Sequence, residues 1–189
     1  MTIRSSYSNT PVWRDIHVHA ILPEKLQFLD EMAHNLWWVW NGRAKSVFKR
    51  LDPEGWRKSH QNPVALLQNL KTERIEEILD DTEFLEEANE TYRIFKDYMS
   101  KPYDTTRPSV AYFSMEYGLT HVLKIYSGGL GVLAGDYLKE ASDSCVDLTG
   151  IGFLYRYGYF SQNLSIDGQQ IANYEAQNFG TLPIIQVTD

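Results

Sequence analysis

Cysteine is nearly absent: Cys145 stands alone in 189 residues, so no disulfide can form within the chain and a reducing, cytoplasmic setting is expected. Long apolar runs are missing too. None approaches the roughly 20 residues of a membrane-spanning helix, and the opening MTIRSSYSNTPVW lacks the apolar core of a secretory signal. Basic residues are outnumbered, 18 Lys and Arg against 25 Asp and Glu for a formal charge of −7, and they form no block. Nucleic-acid and anionic-membrane binders need a basic footprint, so neither partner is expected. Anionic small molecules can still bind locally. What the chain does have is apolar bulk. Hydrophobic residues make up 43%, with 5 Trp and 12 Tyr, too many for a disordered chain, and 189 residues suffice for one domain or two small ones with a sizeable core.

Tryptophan and glycine divide the chain. Every Trp lies at or before Trp56, whereas ten of the 12 Gly lie at or after Gly118. Residues 1–108 carry 15 basic and 17 acidic side chains, and residues 109–189 carry 3 and 8. The seam falls near KPYDTTRPS, residues 101–109, so a domain 1–108 and a domain 109–189 are expected.

The first part reads as helical. Leu26, Leu29, Ala33, Leu36 and Trp40 recur at steps of three and four between Pro23 and Asn41-Gly42, which predicts one helix. Asn62-Pro63 supplies an N-cap and a first helical residue for a second helix through Leu66, Leu67 and Leu70. Leu85, Ala88, Tyr92, Phe95 and Met99 mark a third. Ahead of these, residues 13–21 alternate polar and apolar and read as a short edge strand.

The second part reads strand, glycine turn, helix, strand, hairpin. Residues 110–115 are β-rich and short, as buried parallel strands are. Ser127-Gly128-Gly129-Leu130-Gly131 leads into Leu130, Ala134, Tyr137 and Ala141 at helical spacing, and an apolar strand follows at 148–155. That is the start of a βαβ unit. Asp167-Gly168 predicts a two-residue type I′ hairpin turn, both central positions of which need positive φ.

Several clusters invite a site. Asp15, His17 and His19 alternate along the first strand, but no further ligand has a metal-site spacing, and no metal is assigned. Trp37, Trp38 and Trp40 suit sugar stacking, yet their helical setting favours core packing. Cys145 has no local His partner and reads as a small buried apolar group. The glycines at 128, 129 and 131 have two readings of equal weight. Either the backbone is bared so that helix-start N–H groups can take an anion, or a tight turn requires glycines at φ > 0. Neither a dinucleotide-binding G-x-G-x-x-G nor a Walker lysine is present. Glu116 follows the first strand at its C-terminal end, where open α/β sheets hold ligands. Tyr155, Arg156, Tyr157 and Tyr159 follow the second strand and suit sugar or phosphate contacts.

Four blocks, VAYFSMEYGL at 110–119, IYSGGLGVLAGDYLKEASD at 125–143, GFLYRYGYFSQ at 152–162 and DGQQ at 167–170, together resemble the α-glucan (glycogen, starch, maltodextrin) phosphorylases. LPEKLQFLDEMAHNLWWVWN resembles the helical N-terminal extension of a bacterial and archaeal subgroup of that family. The resemblance implies an α/β fold, in which a helical N-terminal domain is followed by the first part of a GT-B (Rossmann-like) domain. It implies a cytoplasmic glycosyltransferase that converts α-1,4-glucan and orthophosphate into glucose 1-phosphate and a shortened glucan. Pyridoxal phosphate would be its cofactor and a homo-oligomer is possible. By the same resemblance Gly128, Gly129, Leu130 and Gly131 form the phosphate- and glucose-binding loop, and Glu116 and Tyr155 belong to the catalytic site. The family's Schiff-base lysine lies in a C-terminal domain that this chain does not contain, and neither Lys124 nor Lys139 stands in the cofactor motif. The isolated chain is therefore expected to be inactive and to expose an unpaired sheet edge that favours self-association. Two other readings stand beside this one. A glycogen or starch synthase shares a Gly-Gly-Leu turn, but its usual lysine two residues earlier is Tyr126 here. A non-catalytic glucan-binding or assembly module is the third.

Overall fold

The computed structural model describes residues 21–187. The edge strand expected at 13–21 and the Asp15, His17 and His19 cluster fall outside that range, apart from Ile21.

Asx side chains start most of the helices. α2 (Gly42–Leu51), α3 (Pro53–Lys58), α4 (Pro63–Gln68) and α6 (Thr82–Met99) begin after Asn41, Asp52, Asn62 and Asp81, and each cap oxygen accepts an N–H of the first turn. Pro53 and Pro63 occupy first helical positions, where the missing N–H costs nothing. The Asn62-Pro63 start is thus borne out, although α4 stops at Gln68. α5 (Thr72–Asp80) lacks a side-chain cap.

The single helix expected across 26–40 is broken. A 3-10 turn (Glu24–Leu26) leads into α1 (Phe28–His34), and a second 3-10 turn covers Leu36–Val39. Asn35 is the break: its backbone is extended and its side chain accepts the Trp37 N–H at 2.9 Å. A capping residue inside an otherwise helical stripe offers the backbone an alternative partner, and here the alternative prevails.

Helices and turns close around one core. Leu26, Met32, Trp38, Phe48, Leu51, Leu66, Ile78, Phe84 and Phe95 are fully buried within it. Trp37 packs on Phe95 with ring centres 5.5 Å apart, and Trp38 meets Trp56 edge-on at 6.3 Å, so both tryptophans are core residues as expected. The α6 stripe is turned by one position from its expected centre: Phe84, Ala88, Thr91 and Phe95 are buried, whereas Met99 is exposed. Arg50 of α2 reaches Asp81, Glu83 and Glu87 and ties α2 to α6.

Beyond residue 109, β1 (Val110–Phe113) pairs in parallel with β2 (Leu148–Ile151), from Val110 opposite Leu148 to Phe113 opposite Ile151. α7 (Gly129–Asp143) connects them, so the βαβ start is present. The expected burial is not. Phe113 and Ile151 are exposed, because one helix covers one face of a two-stranded sheet and nothing among the described residues covers the other. β2 also ends at Ile151 instead of 155. The Tyr117 ring lies where a side chain at Gly152 would be, Leu138 crowds Gly150, and the Tyr117 hydroxyl donates to the Tyr112 carbonyl at 2.5 Å.

Cys145 is half-buried, not buried. It follows the C-cap of α7 with φ 52, and the bonds from Cys145 N–H to Ser142 and from Val146 N–H to Ala141 close a Schellman turn around it.

β3 (Ser161–Leu164) and β4 (Gln170–Asn173) form the expected antiparallel hairpin, but its turn differs. Only Gly168 has positive φ (75°), the Gly168 N–H donates to Ser165 O at 3.0 Å, and Ser165 N–H donates to Gln169 O at 2.8 Å. This is a three-residue loop with glycine in the left-handed position, which lets Asp167 avoid the positive φ that a type I′ turn would impose.

Among the described residues, side-chain hydrogen bonds join the two parts at three places. Asp143, at the end of α7, accepts the Tyr98 hydroxyl at 2.6 Å and the Trp40 indole at 3.2 Å. The His121 ring bonds to the His60 carbonyl. Asn62 and Gln68 donate to the carbonyls of Thr181 and Gly180, which lie in a 3-10 turn (Phe179–Thr181).

Candidate functional site

Parallel pairing places the C-terminal ends of β1 and β2 and the start of α7 at one end of the βαβ unit. Glu116, three residues past β1, turns its carboxylate to the loop ahead of α7, where Oε2 accepts the Ser127 N–H at 2.5 Å. Negative charge at this helix end is favoured by the dipole. The Tyr155 hydroxyl reaches back to the Met115 carbonyl at 3.1 Å. The result is a cavity of about 340 Å³ whose lining includes Glu116, Lys124, Leu130, Tyr155, Tyr157 and Tyr159. Of the residues singled out in the sequence, Glu116, Leu130, Tyr155, Tyr157 and Tyr159 are brought together around the cavity, and Gly128, Gly129 and Gly131 adjoin Leu130 without lining it. Arg156 does not line it either.

The glycines separate into two kinds. A Cβ on Gly131 would lie 2.5 Å from the Tyr126 Cβ and 3.1 Å from Glu116 Oε2, and one on Gly135 would overlap the Gly118 carbonyl. These two are needed for close packing of the 116–118 turn on α7, sealed by the Gly118 N–H to Gly131 O bond at 2.6 Å. Gly128 and Gly129 face open space. Neither has positive φ: Gly128, the N-cap, is extended at −164°, a conformation open to any residue, and Gly129 is helical. The tight-turn reading of these two glycines is thereby overturned. With no side chain capping α7, its first N–H groups stay open.

Gln177 has no local signal in the sequence, yet it braces the cavity. Its Nε2 donates to the Tyr155 carbonyl at 2.5 Å and its Oε1 accepts the Lys124 N–H at 3.1 Å. Only the fold brings residues 22 and 53 positions away to it.

Lys124 is exposed at the cavity, and Lys139, on α7, is 3.4 Å from Asp136. Neither is a buried, unpaired amine, so the described residues do not fit a resident pyridoxal phosphate. Among the described residues no three His, Cys, Asp or Glu side chains converge as a metal site, and no helix is long and apolar enough to cross a membrane.

A helix start bared of side chains at the C-terminal end of a parallel strand pair is where α/β proteins hold ligands. The chain belongs to the family described as "Protein of unknown function (DUF3417)", which matches residues 22–123. It is 44% identical to the glycogen phosphorylase of Aquifex aeolicus over 163 residues, 84% of this chain and 23% of that protein. It is 41% identical to the maltodextrin phosphorylase of Thermococcus litoralis over 178 residues (90% and 21%). With the glycogen phosphorylase of Mycobacterium tuberculosis it shares 40% identity over 188 residues (93% and 22%). The resemblance read from the four blocks is thus borne out across most of the chain, which spans between a fifth and a quarter of these relatives' length. No solved structure matches.

Proposed function

We propose that this chain is the N-terminal part of an α-glucan phosphorylase, a glycosyltransferase that transfers a glucosyl unit from α-1,4-glucan to orthophosphate. The observation that carries this reading is the freedom of Gly128 and Gly129. Neither packing nor backbone conformation asks for glycine there, so close approach by a ligand is what the two residues serve. The N–H groups at the start of α7 take the oxygens of phosphate or glucose, and Leu130 lies on the wall beside them. The hydroxyls of Tyr155, Tyr157 and Tyr159 suit sugar hydroxyls.

Glu116 acts in this reading as a positioning residue, since its Oε2 is engaged by Ser127 and holds the loop in place. Tyr155 completes the wall. Residues 1–108 form the helical domain and 109–189 the start of the GT-B domain, whose further strands would extend the β1–β2 pair. Pyridoxal phosphate, which supplies proton transfer through its phosphate when bound, is held by the rest of the protein and not by Lys124 or Lys139. The protein works in the cytoplasm, and the 189-residue chain alone lacks phosphorolysis and self-associates through its open sheet edge.

The test uses the complete phosphorylase. Gly129→Val should lower phosphorolysis by roughly 100-fold, the scale of a lost oxyanion donor, with the unfolding midpoint unchanged. Full activity in that variant would refute the loop assignment. Glucan affinity that survives both Gly128→Val and Gly129→Val, in a protein that never turns over, would favour the non-catalytic module.

A further inference from the structure

A second concave surface lies away from the α7 loop. We propose that the groove between α2, α3 and the turn at residue 121 binds a small molecule bearing two or more phosphate charges. The groove measures about 830 Å³, and its lining includes Lys45, Lys49, Arg57, His60, His121 and Trp56 but no carboxylate. Lys45 and Lys49 are one turn apart on α2 and share a face.

What marks this groove is that three unpaired cations line one concavity with no carboxylate among them. Arg50, Lys58, Arg74, Arg93, Lys96, Arg107 and Lys139 each lie within ion-pair distance of a carboxylate. Among the described residues Lys45, Lys49 and Arg57 form no ion pair, in a chain with seven more acidic than basic residues. Glu54, the acid near Arg57 on α3, is taken by Lys58 at 2.8 Å. Three cations gathered in one concavity without carboxylates repel one another, and a multivalent anion removes that repulsion through charge-assisted hydrogen bonds.

The wall opposite α2 is built, not loose. His60 and Gln61 are consecutive left-handed residues, φ 52 and 61, in a turn closed by the Gln61 N–H to Trp56 O bond at 2.8 Å. The His121 ring is pinned to the His60 carbonyl at 2.7 Å. His121 belongs to the second part of the chain and the lysines to the first, so the ligand bridges the two parts and its binding raises their joint stability. A compact polyphosphate or phosphorylated metabolite fits this charge arrangement. A neutral glucan does not use it.

The test is calorimetric titration of the 189-residue chain with inorganic pyrophosphate at low ionic strength. Saturable binding is expected, weakened at least tenfold in Lys45→Gln/Lys49→Gln, and that loss should be the same in a Gly129→Asp background, which closes the start of α7 to anions. Both lysines are exposed, so the double variant should fold, and its melting curve without ligand checks that. Absence of saturation, or equal binding by the double variant, would overturn the proposal. So would loss of binding in Gly129→Asp alone, which would assign the anion to α7. Orthophosphate binding as tightly as pyrophosphate would overturn the requirement for more than one phosphate charge.

Discussion

Glu116 and Ser127 are joined across eleven residues: the carboxylate that follows β1 accepts, at 2.5 Å, the N–H of the residue just before the N-cap of α7. The strand end and the helix start are therefore held as one piece. Glu116→Ala should lower stability by about 1 kcal/mol, at the low end for a charged acceptor because the site is partly solvated. It should also loosen the loop, read as faster amide hydrogen exchange at 127–131 with α6 unchanged. Unaltered exchange at Ser127 would show that the carboxylate does not hold the loop.

The two kinds of glycine predict opposite outcomes for one substitution. Gly131→Ala should destabilise the chain by about 1–3 kcal/mol, as overpacking does, because its Cβ would press on Tyr126 and Glu116. Gly129→Ala should be neutral or stabilising by up to about 1 kcal/mol, since alanine is the better helix former. Chemical denaturation of the pair measures the contrast, and equal effects would contradict it.

Asn62 does two jobs with one amide. Its oxygen caps α4 through Val64 and Ala65, and its nitrogen donates to the Thr181 carbonyl at 2.7 Å. Asn62→Ala should cost about 2 kcal/mol, combining a lost cap with a lost bond. Asn62→Asp retains the cap and should cost about 1 kcal/mol for the lost donor alone. Thermal unfolding of both variants separates the two roles.

Burial, and then the bond to Asp143, push the Tyr98 hydroxyl up to about 12 from its usual 10. A folded-state value above the unfolded one favours the protonated form in the native protein. Its contribution is therefore complete below pH 10 and is lost as pH rises from 10 to about 12. The stability gap between the wild-type chain and Tyr98→Phe should shrink across that window, and a gap that stays constant would break the link. Burial also raises Tyr117, so the comparison with the variant is needed to isolate Tyr98.

Legibility in the sequence followed the range of the interaction. Asn62-Pro63 and the α6 stripe are local, and they were read correctly save for the rotation of the α6 face and the last residues of α4. α2 and α3 also start on local signals, at Asn41 and Asp52-Pro53, which apolar spacing alone passes over. The break at Asn35 escaped because a periodic stripe and a capping side chain compete within one turn, and the spacing does not say which prevails. The site divides in the same way. The glycine turn and its place after the first strand are visible in the residues, but the split between packing glycines and open ones depends on Tyr126, Glu116 and Gly118 being folded against α7. Gln177 is invisible until the fold brings it to Tyr155 and Lys124.

The helical core is made almost wholly from one continuous stretch of chain. Among the described residues its buried members run from Leu26 to Phe95, and Val122 is the one partly buried contributor from beyond Tyr98. The strand pair, in contrast, joins segments separated by α7 and its flanking turns, and its exposed Phe113 and Ile151 leave a sticky surface. During synthesis the residues from Leu26 to Tyr98 can therefore complete a packed nucleus before β1 has emerged from the ribosome. The slower, non-local pairing of β1 with β2 then proceeds on a nascent chain whose helical core is already in place.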